Sequence, residues 1–348
     1  WPRWLGPDGL GVSAETDLPV SWSKSKNVAW KVDLPGWGRS SPIVVGDRVY
    51  LTSQSEDDAL HVHCIGKAKG KLLWSKQIGR GNQKANRLHN MASPTPVADA
   101  NHVWVLFGTG DLACLDRDGR ITWQQNIQKR YGRYHIQWGM GSSPILLDGK
   151  LFIVCMQDKG NSYLLALEAD TGKKIWKKSR DFPAVGEARD SYTSPIVYRS
   201  NGSSQIVVCG AEHINAYDPK DGKQLWVSGG LEVSHPYGRS VSSPTAGEGL
   251  IIAVSSGYQH RGHVLALEAG GRGDVTKSHR IWTFDRHASD CPTPVIYRGR
   301  IYIVKDSGLV SCLELHSGEV LWQERLFRGT DVKVSPVAGD GKIYFTNS

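Results

Sequence analysis

One phrase recurs seven times along this chain and limits what it can fold into. A small residue and a proline are followed by a short apolar strand, a tight turn, a second apolar strand and a variable polar loop. A third strand comes next, then a turn of the form Asp-x-Gly or Asp-x-x-x-Gly, and a last strand ending in Trp. Residues 142–176, SSPILLDGKLFIVCMQDKGNSYLLALEADTGKKIW, are the fullest copy. Aligned on the proline, the copies begin at Ser41-Pro42, Ser93-Pro94, Ser143-Pro144, Ser194-Pro195, Ser243-Pro244, Cys291-Pro292 and Ser335-Pro336. Trp74, Trp123, Trp176, Trp226, Trp282 and Trp322 close six of them, and Trp30, in NVAWKV, is a further Trp of this kind with no unit before it.

Four short strands at a period of roughly 45–50 residues mark the blade of a β-propeller. A single four-stranded blade cannot bury both faces, whereas blades stacked around an axis bury each other. The fold expected is therefore all-β, a propeller of four-stranded antiparallel blades forming a single domain over residues 1–348. Its blades start near 40, 92, 142, 193, 242, 291 and 334. Residues 1–27 read as an extended leader wrapping the rim, anchored by Trp1, Trp4 and Trp22, and residues 28–33 as a strand that closes the ring. Seven repeats are visible, and eight blades are expected in the complete protein. The alternative is a seven-bladed ring with a thinner last blade.

Composition fits this reading. The 39 glycines suit a protein built from hairpin turns, and a repeated position accounts for much of the excess of 13 Trp over 6 Phe. The formal charge of +8 is scattered through turns such as Lys67-Ala68-Lys69-Gly70-Lys71, without the stripe of Arg and aromatics a nucleic-acid surface needs, so no nucleic-acid partner is expected. Cys64, Cys114 and Cys312 fall where other copies place Ala166, Ala216 and Ala266, which reads as small buried residues rather than a disulfide framework. No apolar run approaches the ~20 residues of a membrane span.

The motif Ala-Leu-Glu-Ala-Asp-Thr-Gly-Lys-Lys-Ile-Trp at 166–176, echoed as Ala-Tyr-Asp-Pro-Lys-Asp-Gly-Lys-Gln-Leu-Trp at 216–226, resembles the repeat of the pyrroloquinoline-quinone (PQQ)-like propeller superfamily. That superfamily includes quinoprotein alcohol dehydrogenases and the outer-membrane assembly lipoprotein BamB. The opening Trp1-Pro2-Arg3-Trp4-Leu5-Gly6-Pro7 resembles that of bacterial PQQ-like repeat proteins common in planctomycetes. The resemblance implies an exported protein, periplasmic or extracellular, although the chain itself opens at Trp1 without a signal peptide. The superfamily's enzymes hold PQQ with a disulfide between adjacent cysteines, a calcium ion on carboxylate and amide ligands, and an Asp base. Adjacent cysteines are missing from this sequence, so no cofactor is expected, with PQQ and calcium as the alternative.

In a propeller, the connections from fourth to first strand and from second to third strand converge on one face. That face is where a ligand would sit. Five positions before the prolines stand Trp37, His89, Gly139, Asp190, Arg239, His287 and Asp331, with His135, Tyr192 and Asp290 close by. The second-to-third-strand loops add Gln157, Asp158, Glu212, His213, His260, Arg261, Lys305 and Asp306. The candidate ligand-binding set is His89, His135, Asp190, Tyr192, Arg239, His287, Asp290 and Asp331, with Arg239 expected to pair with Asp190 or Asp290 or to receive an anionic ligand. A metal on His89, His135 and His287 is a further arrangement these residue types allow, and loop polarity alone is the structural one.

Three functions follow. The leading one is a non-catalytic, monomeric binding or scaffold propeller that engages a protein or a glycan through its loop face. The second is a carbohydrate-active enzyme of the polysaccharide-lyase type, with Tyr or His as base. The third is a PQQ-dependent dehydrogenase.

Overall fold

The computed structural model describes residues 1–200, 202–257, 262–329 and 331–347, so His260 and Arg261 lie outside the described residues. Seven sheets follow one another along the chain, and strand order within a blade is the order of sequence. Blade three is representative, with strands Ile145–Leu147, Lys150–Cys155, Tyr163–Glu168 and Lys174–Ser179. Its first hairpin turns on Asp148 and Gly149, both left-handed at φ 48° and 69°, as a two-residue turn between twisted strands requires.

Alternation along the strands builds the core. In blade three, Leu151, Ile153 and Cys155 share a cluster with Trp104, Leu106 and Leu112 of blade two, while Phe152 and Val154 share one with Val197, Ile206 and Val208 of blade four. The period of two thus sends successive side chains to opposite neighbours, and all five blade-three residues are at most 1% exposed.

The repeated Trp is a docking device. Each sits opposite the small third-strand residue, in the pairs Cys64↔Trp74, Cys114↔Trp123, Ala166↔Trp176, Ala216↔Trp226, Ala266↔Trp282 and Cys312↔Trp322, and the ladder slips immediately afterwards. A small residue there leaves room for the indole beside the aromatic on the second strand, as with Tyr50–Trp74 and Phe152–Trp176 at 6.0 and 5.7 Å between ring centroids. The indole N–H then crosses to the next blade, donating from Trp74 to Arg117 O, from Trp123 to Ala169 O and from Trp282 to Leu315 O, each at 2.8 Å. Trp226 departs from the rule because blade five's insertion lays Gly273–Asp274 alongside it as a parallel strand, and its indole donates to Gln205 in its own blade.

A belt of hydrogen bonds runs along the inner edges. The backbone N–H of the residue before the proline donates to a hydroxyl on the next blade: Ser41 to Thr95, Thr95 to Ser143, Ser143 to Ser194, Ser194 to Ser243, Ser243 to Thr293 and Thr293 to Ser335, at 2.8–3.0 Å. This belt corrects the register. In the Pro-x-Pro segments of blades two and six the equivalents are Thr95-Pro96 and Thr293-Pro294, and the first strands there begin at Val97 and Val295.

The leader does not wrap the rim. Its Trp1 and Pro2 carbonyls accept from Val44 and Ala98 on the first strands of blades one and two, each at 2.8 Å. Arg3, Trp4 and Gly9 line a cavity with the Ser-Pro segments of blades three and four, and Val12–Ser13 pairs in parallel with Val337–Gly339 of blade seven. Residues 28–33, expected as a closing strand, form no strand. Trp30 nevertheless keeps the docking role, donating to Lys67 O at 2.7 Å and lying against Gly70 in blade one.

Candidate functional site

The connections between blades place a row of alternating charges on the loop face. Arg239, between blades four and five, is held by a backbone bridge to Ser256 on blade five's second strand, with N–H···O distances of 2.8 and 2.9 Å in the two directions. Its guanidinium reaches Asp290, in the connection between blades five and six, by two bonds: Nε to Oδ1 at 3.1 Å and Nη2 to Oδ2 at 2.6 Å. Nη1 reaches both oxygens of Glu187 at 3.1 and 3.2 Å. Glu187 sits in a short 3-10 turn, Gly186–Arg189, whose Glu187 N–H donates to Pro236 O. Tyr192 donates to Glu187 at 3.3 Å, and Ser256 to Asp290 at 2.5 Å. Asp306 continues the row, accepting the N–H groups of Asp290 and Cys291 on one oxygen and Lys333 on the other.

The electrostatics follow from how the guanidinium is shared. Burial alone would raise the Asp290 carboxyl, but the bonds and charge of Arg239, then the bond from Ser256 and the nearby charge of Lys333, outweigh it and hold it below the usual carboxylate value. Burial would lower Arg239, and Asp290 followed by Glu187 reverses that, so the group stays charged. Glu187 goes the other way and is raised. Its side chain is 2% exposed and shares a cation already committed to Asp290, so desolvation exceeds the attraction.

The candidate residues divide. Arg239, Asp290 and Tyr192 meet in this network, Asp290 being one of the two carboxylates named for Arg239. Asp190, the other, is fully buried and serves as a clamp: its oxygens accept from Gln137 N at 2.8 Å and Asp158 N at 2.7 Å, which fastens two loops of blade three to the connection into blade four. His89 and His287 leave the ring of equivalent positions because of the two-residue slip in their blades, and Met91 and Ser289 stand there instead. His89 is tied to Trp138 O and Ser93, His135 and Asp331 are exposed, and His287 is only half-buried at φ 63°. The three histidines form no metal-ligand grouping among the described residues. Sequence reasoning missed Glu187, which lies eight positions before Pro195, outside the repeat register.

One grouping of donor atoms, Asp290, Cys291 and Asp306 within 4.8 Å of one another, invites a test for the calcium ion of a quinoprotein. The donors do not fit. Every carboxylate oxygen in it already accepts from Arg239, Ser256, Lys333 or a backbone N–H. Burial, then Asp290 and Asp306, push the Cys291 thiol well above its ordinary value, which keeps it protonated and a poor ligand. All six cysteines are free thiols, so the disulfide that the quinoprotein resemblance calls for is not formed.

The open space lies next to this network rather than inside it. A cleft of about 570 Å³ opens between blades three and four, with Gln157 and Ser162 on its floor, the Asp158–Arg189 ion pair and Glu212 on its walls, and Phe182 and Val185 at its lip. Val185 is 72% exposed. Ala211 and Glu212 both take left-handed φ, 50° and 61°, in a turn where Asn-Gly would be relaxed, and Ala211 packs with Ala184 and Ala188 under Phe182.

Residues 7–155 and 108–348 match the family described as outer membrane protein assembly factor BamB. The chain belongs to this family. Its BamB-family relatives include the outer membrane protein assembly factor BamB of Moranella endobia (strain PCIT), 26% identical over 242 residues, which are 68% of this chain and 55% of that one. A polyvinylalcohol dehydrogenase of a Pseudomonas species is 25% identical over 357 residues, covering 88% of this chain and 47% of that protein. The chain spans about half the length of the curated relatives it matches. Among solved structures, BamB from Moraxella catarrhalis superposes with a TM-score of 0.63 over 92% of this chain and 83% of that one, at 15% identity, a likeness of fold.

Proposed function

We propose that this BamB-family chain is a non-catalytic, exported scaffold that binds a protein through the loop face of its propeller. One observation carries the reading: the charges at the centre of that face, Arg239, Glu187, Asp290, Asp306 and Lys333, are consumed by each other, while the cleft beside them stays open. Arg239, Glu187, Asp290, Asp306 and Lys333 are all paired, so none is held as a free acid or base. The lip formed by Phe182 and Val185 offers apolar surface next to hydrogen-bonding groups, which suits a protein segment. Relatives named for outer-membrane protein assembly support the same reading.

The lyase alternative needs a Tyr or His that gives up a proton readily. Tyr192 donates to Glu187 and is pushed up by burial, then by Glu187 and Asp190, which is the wrong direction for a base. The dehydrogenase alternative has the polyvinylalcohol dehydrogenase likeness in its favour and the committed donors around Asp290 against it. A purified chain incubated with PQQ, calcium and poly(vinyl alcohol), and separately with a panel of acidic glycans, tests both. The scaffold reading expects neither oxidation nor chain cleavage, and turnover with either substrate would overturn it.

A further inference from the structure

Three of the connections on the loop face contain no Asp or Glu: residues 34–41 into blade one, 81–96 between blades one and two, and 127–144 between blades two and three. Together they carry six cations, Arg39, Lys84, Arg87, Lys129, Arg130 and Arg133, all of them exposed. None of the six forms an ion pair among the described residues. The four remaining connections each include an Asp or Glu. On the second-to-third-strand loops of the same three blades most acids are committed, Asp57 to Arg80, Asp58 to Gln54, Asp111 to Thr109 and Asn126, and Asp158 to Arg189, with Glu56 left exposed. The net charge of the protein is thus concentrated, unneutralised, on one side of the loop face.

Hydrogen bonds lace the three connections into one surface. Asn86 N donates to Trp138 O at 2.9 Å, and Lys84 Nζ lies 5.5 Å from the Trp138 ring centroid. Arg39 Nε donates to Leu88 O at 2.9 Å, and Asn90 Nδ2 to Trp37 O at 2.8 Å. Trp37 is also bridged to Gln54 in both directions, at 3.1 and 2.9 Å, so its backbone is fixed while the residue stays 50% exposed. The guanidinium carbon of Arg39 stands 5.9 Å from the Trp37 ring centroid. A held, solvent-facing indole beside a guanidinium can stack on the C–H face of a sugar while the cation takes that sugar's carboxylate.

The make-up of this surface selects among anionic partners. The centre of a protein interface is depleted of charged residues, whereas here six cations accompany two exposed apolar side chains, Trp37 and Leu88. Single-stranded nucleic acid is held by aromatics that stack successive bases, but Lys84 lies over Trp138 and Tyr131 is tilted against Tyr163, which leaves Trp37 as the open ring. A hydrated acidic polysaccharide needs what is present: cations spread over a surface and one stacking platform. We infer that the loop face of blades one to three binds an acidic polysaccharide of the uronate class. This site lies beside the cleft between blades three and four and acts independently of the protein proposed to occupy that cleft.

Titration of the full chain with an oligogalacturonate, followed by tryptophan fluorescence and calorimetry, tests the inference. Saturable binding without cleavage is expected, and it should weaken as sodium chloride is raised. Trp37→Ala should weaken it about tenfold, and Arg39→Gln combined with Arg87→Gln by a similar factor. Trp37→Phe, which keeps a ring, should lose less, and it serves in place of Trp37→Ala if that variant does not fold. Lys173→Gln combined with Lys174→Gln removes the same charge from the outer edge of blade three and should leave affinity unchanged. Absence of binding would overturn the proposal. Equal affinity for poly-L-glutamate or for oligodeoxythymidylate, or an equal loss in the Lys173 and Lys174 variant, would mark charge attraction alone and overturn it as well.

Discussion

Arg239 and Asp290 face each other across the junction of blades four, five and six, with Nη2 and Oδ2 2.6 Å apart and a second bond from Nε to Oδ1. A guanidinium that also holds Glu187 is a fastener between blade connections, and its removal leaves two carboxylates unpaired. Arg239→Met is therefore expected to lose about 2–3 kcal/mol of stability, seen as a lower denaturant midpoint at unchanged slope. A loss below about 0.5 kcal/mol, the range of an exposed pair, would show that the network contributes little to the fold and is kept for a ligand.

The pH dependence has two parts of opposite sign. Asp290 is depressed in the folded state, so its contribution is present above the ordinary carboxylate value of 3.8 and is lost as pH falls through its lower folded value. Glu187 and Asp190 are raised, chiefly by burial, so the folded state takes up their protons first and stability gains as pH falls from neutral toward the ordinary carboxylate range. Thermal melts of Glu187→Gln should lack part of the gain on mild acidification, and Asp290→Asn should lack part of the loss at stronger acid. Identical profiles for wild type and both variants would contradict the assignment.

Tryptophan docking separates two glycines with almost the same backbone. A methyl group added at Gly172, φ 68°, would lie 2.8 Å from the Trp123 ring, whereas at Gly149, φ 69°, it would meet nothing within 4 Å. Gly149→Ala should cost about 1 kcal/mol from the left-handed backbone alone, and Gly172→Ala clearly more, about 2–3 kcal/mol. Equal losses would mean that the indole does not pack on that turn.

The inter-blade belt can be probed by two threonines of equal burial. Thr293 accepts from Ser243 N and is 2% exposed, while Thr245 is fully buried with a hydroxyl that finds no partner. Thr293→Val should destabilise by about 1–2 kcal/mol, and Thr245→Val should be neutral or stabilising. The reverse order in urea unfolding would remove the belt from the account.

The blades and their stacking were legible in the sequence because a turn glycine, a small third-strand residue and a Trp leave marks at fixed spacing. Two things blurred the site. Pro-x-Pro segments in blades two and six offer two prolines for one alignment, and only the hydroxyl that receives the neighbour's N–H distinguishes Thr95 from Ser93 and Thr293 from Cys291. Glu187 and the path of residues 1–13 leave no periodic mark, because contacts made once in the molecule need no repeated spacing. Arg3 looked like any basic residue of an extended leader until its burial was seen.

Photo-cross-linking from the cleft tests the scaffold reading most directly. A photoreactive side chain at position 185, on the lip of the cleft, is compared in the native cells with one at position 20, which is equally exposed but beside blade seven, where Tyr344 donates to Pro19 O. The account predicts a discrete protein adduct from position 185 that disappears when Phe182→Asp is introduced, and none from position 20. An adduct pattern that is the same at both positions, or absent from 185, would contradict it.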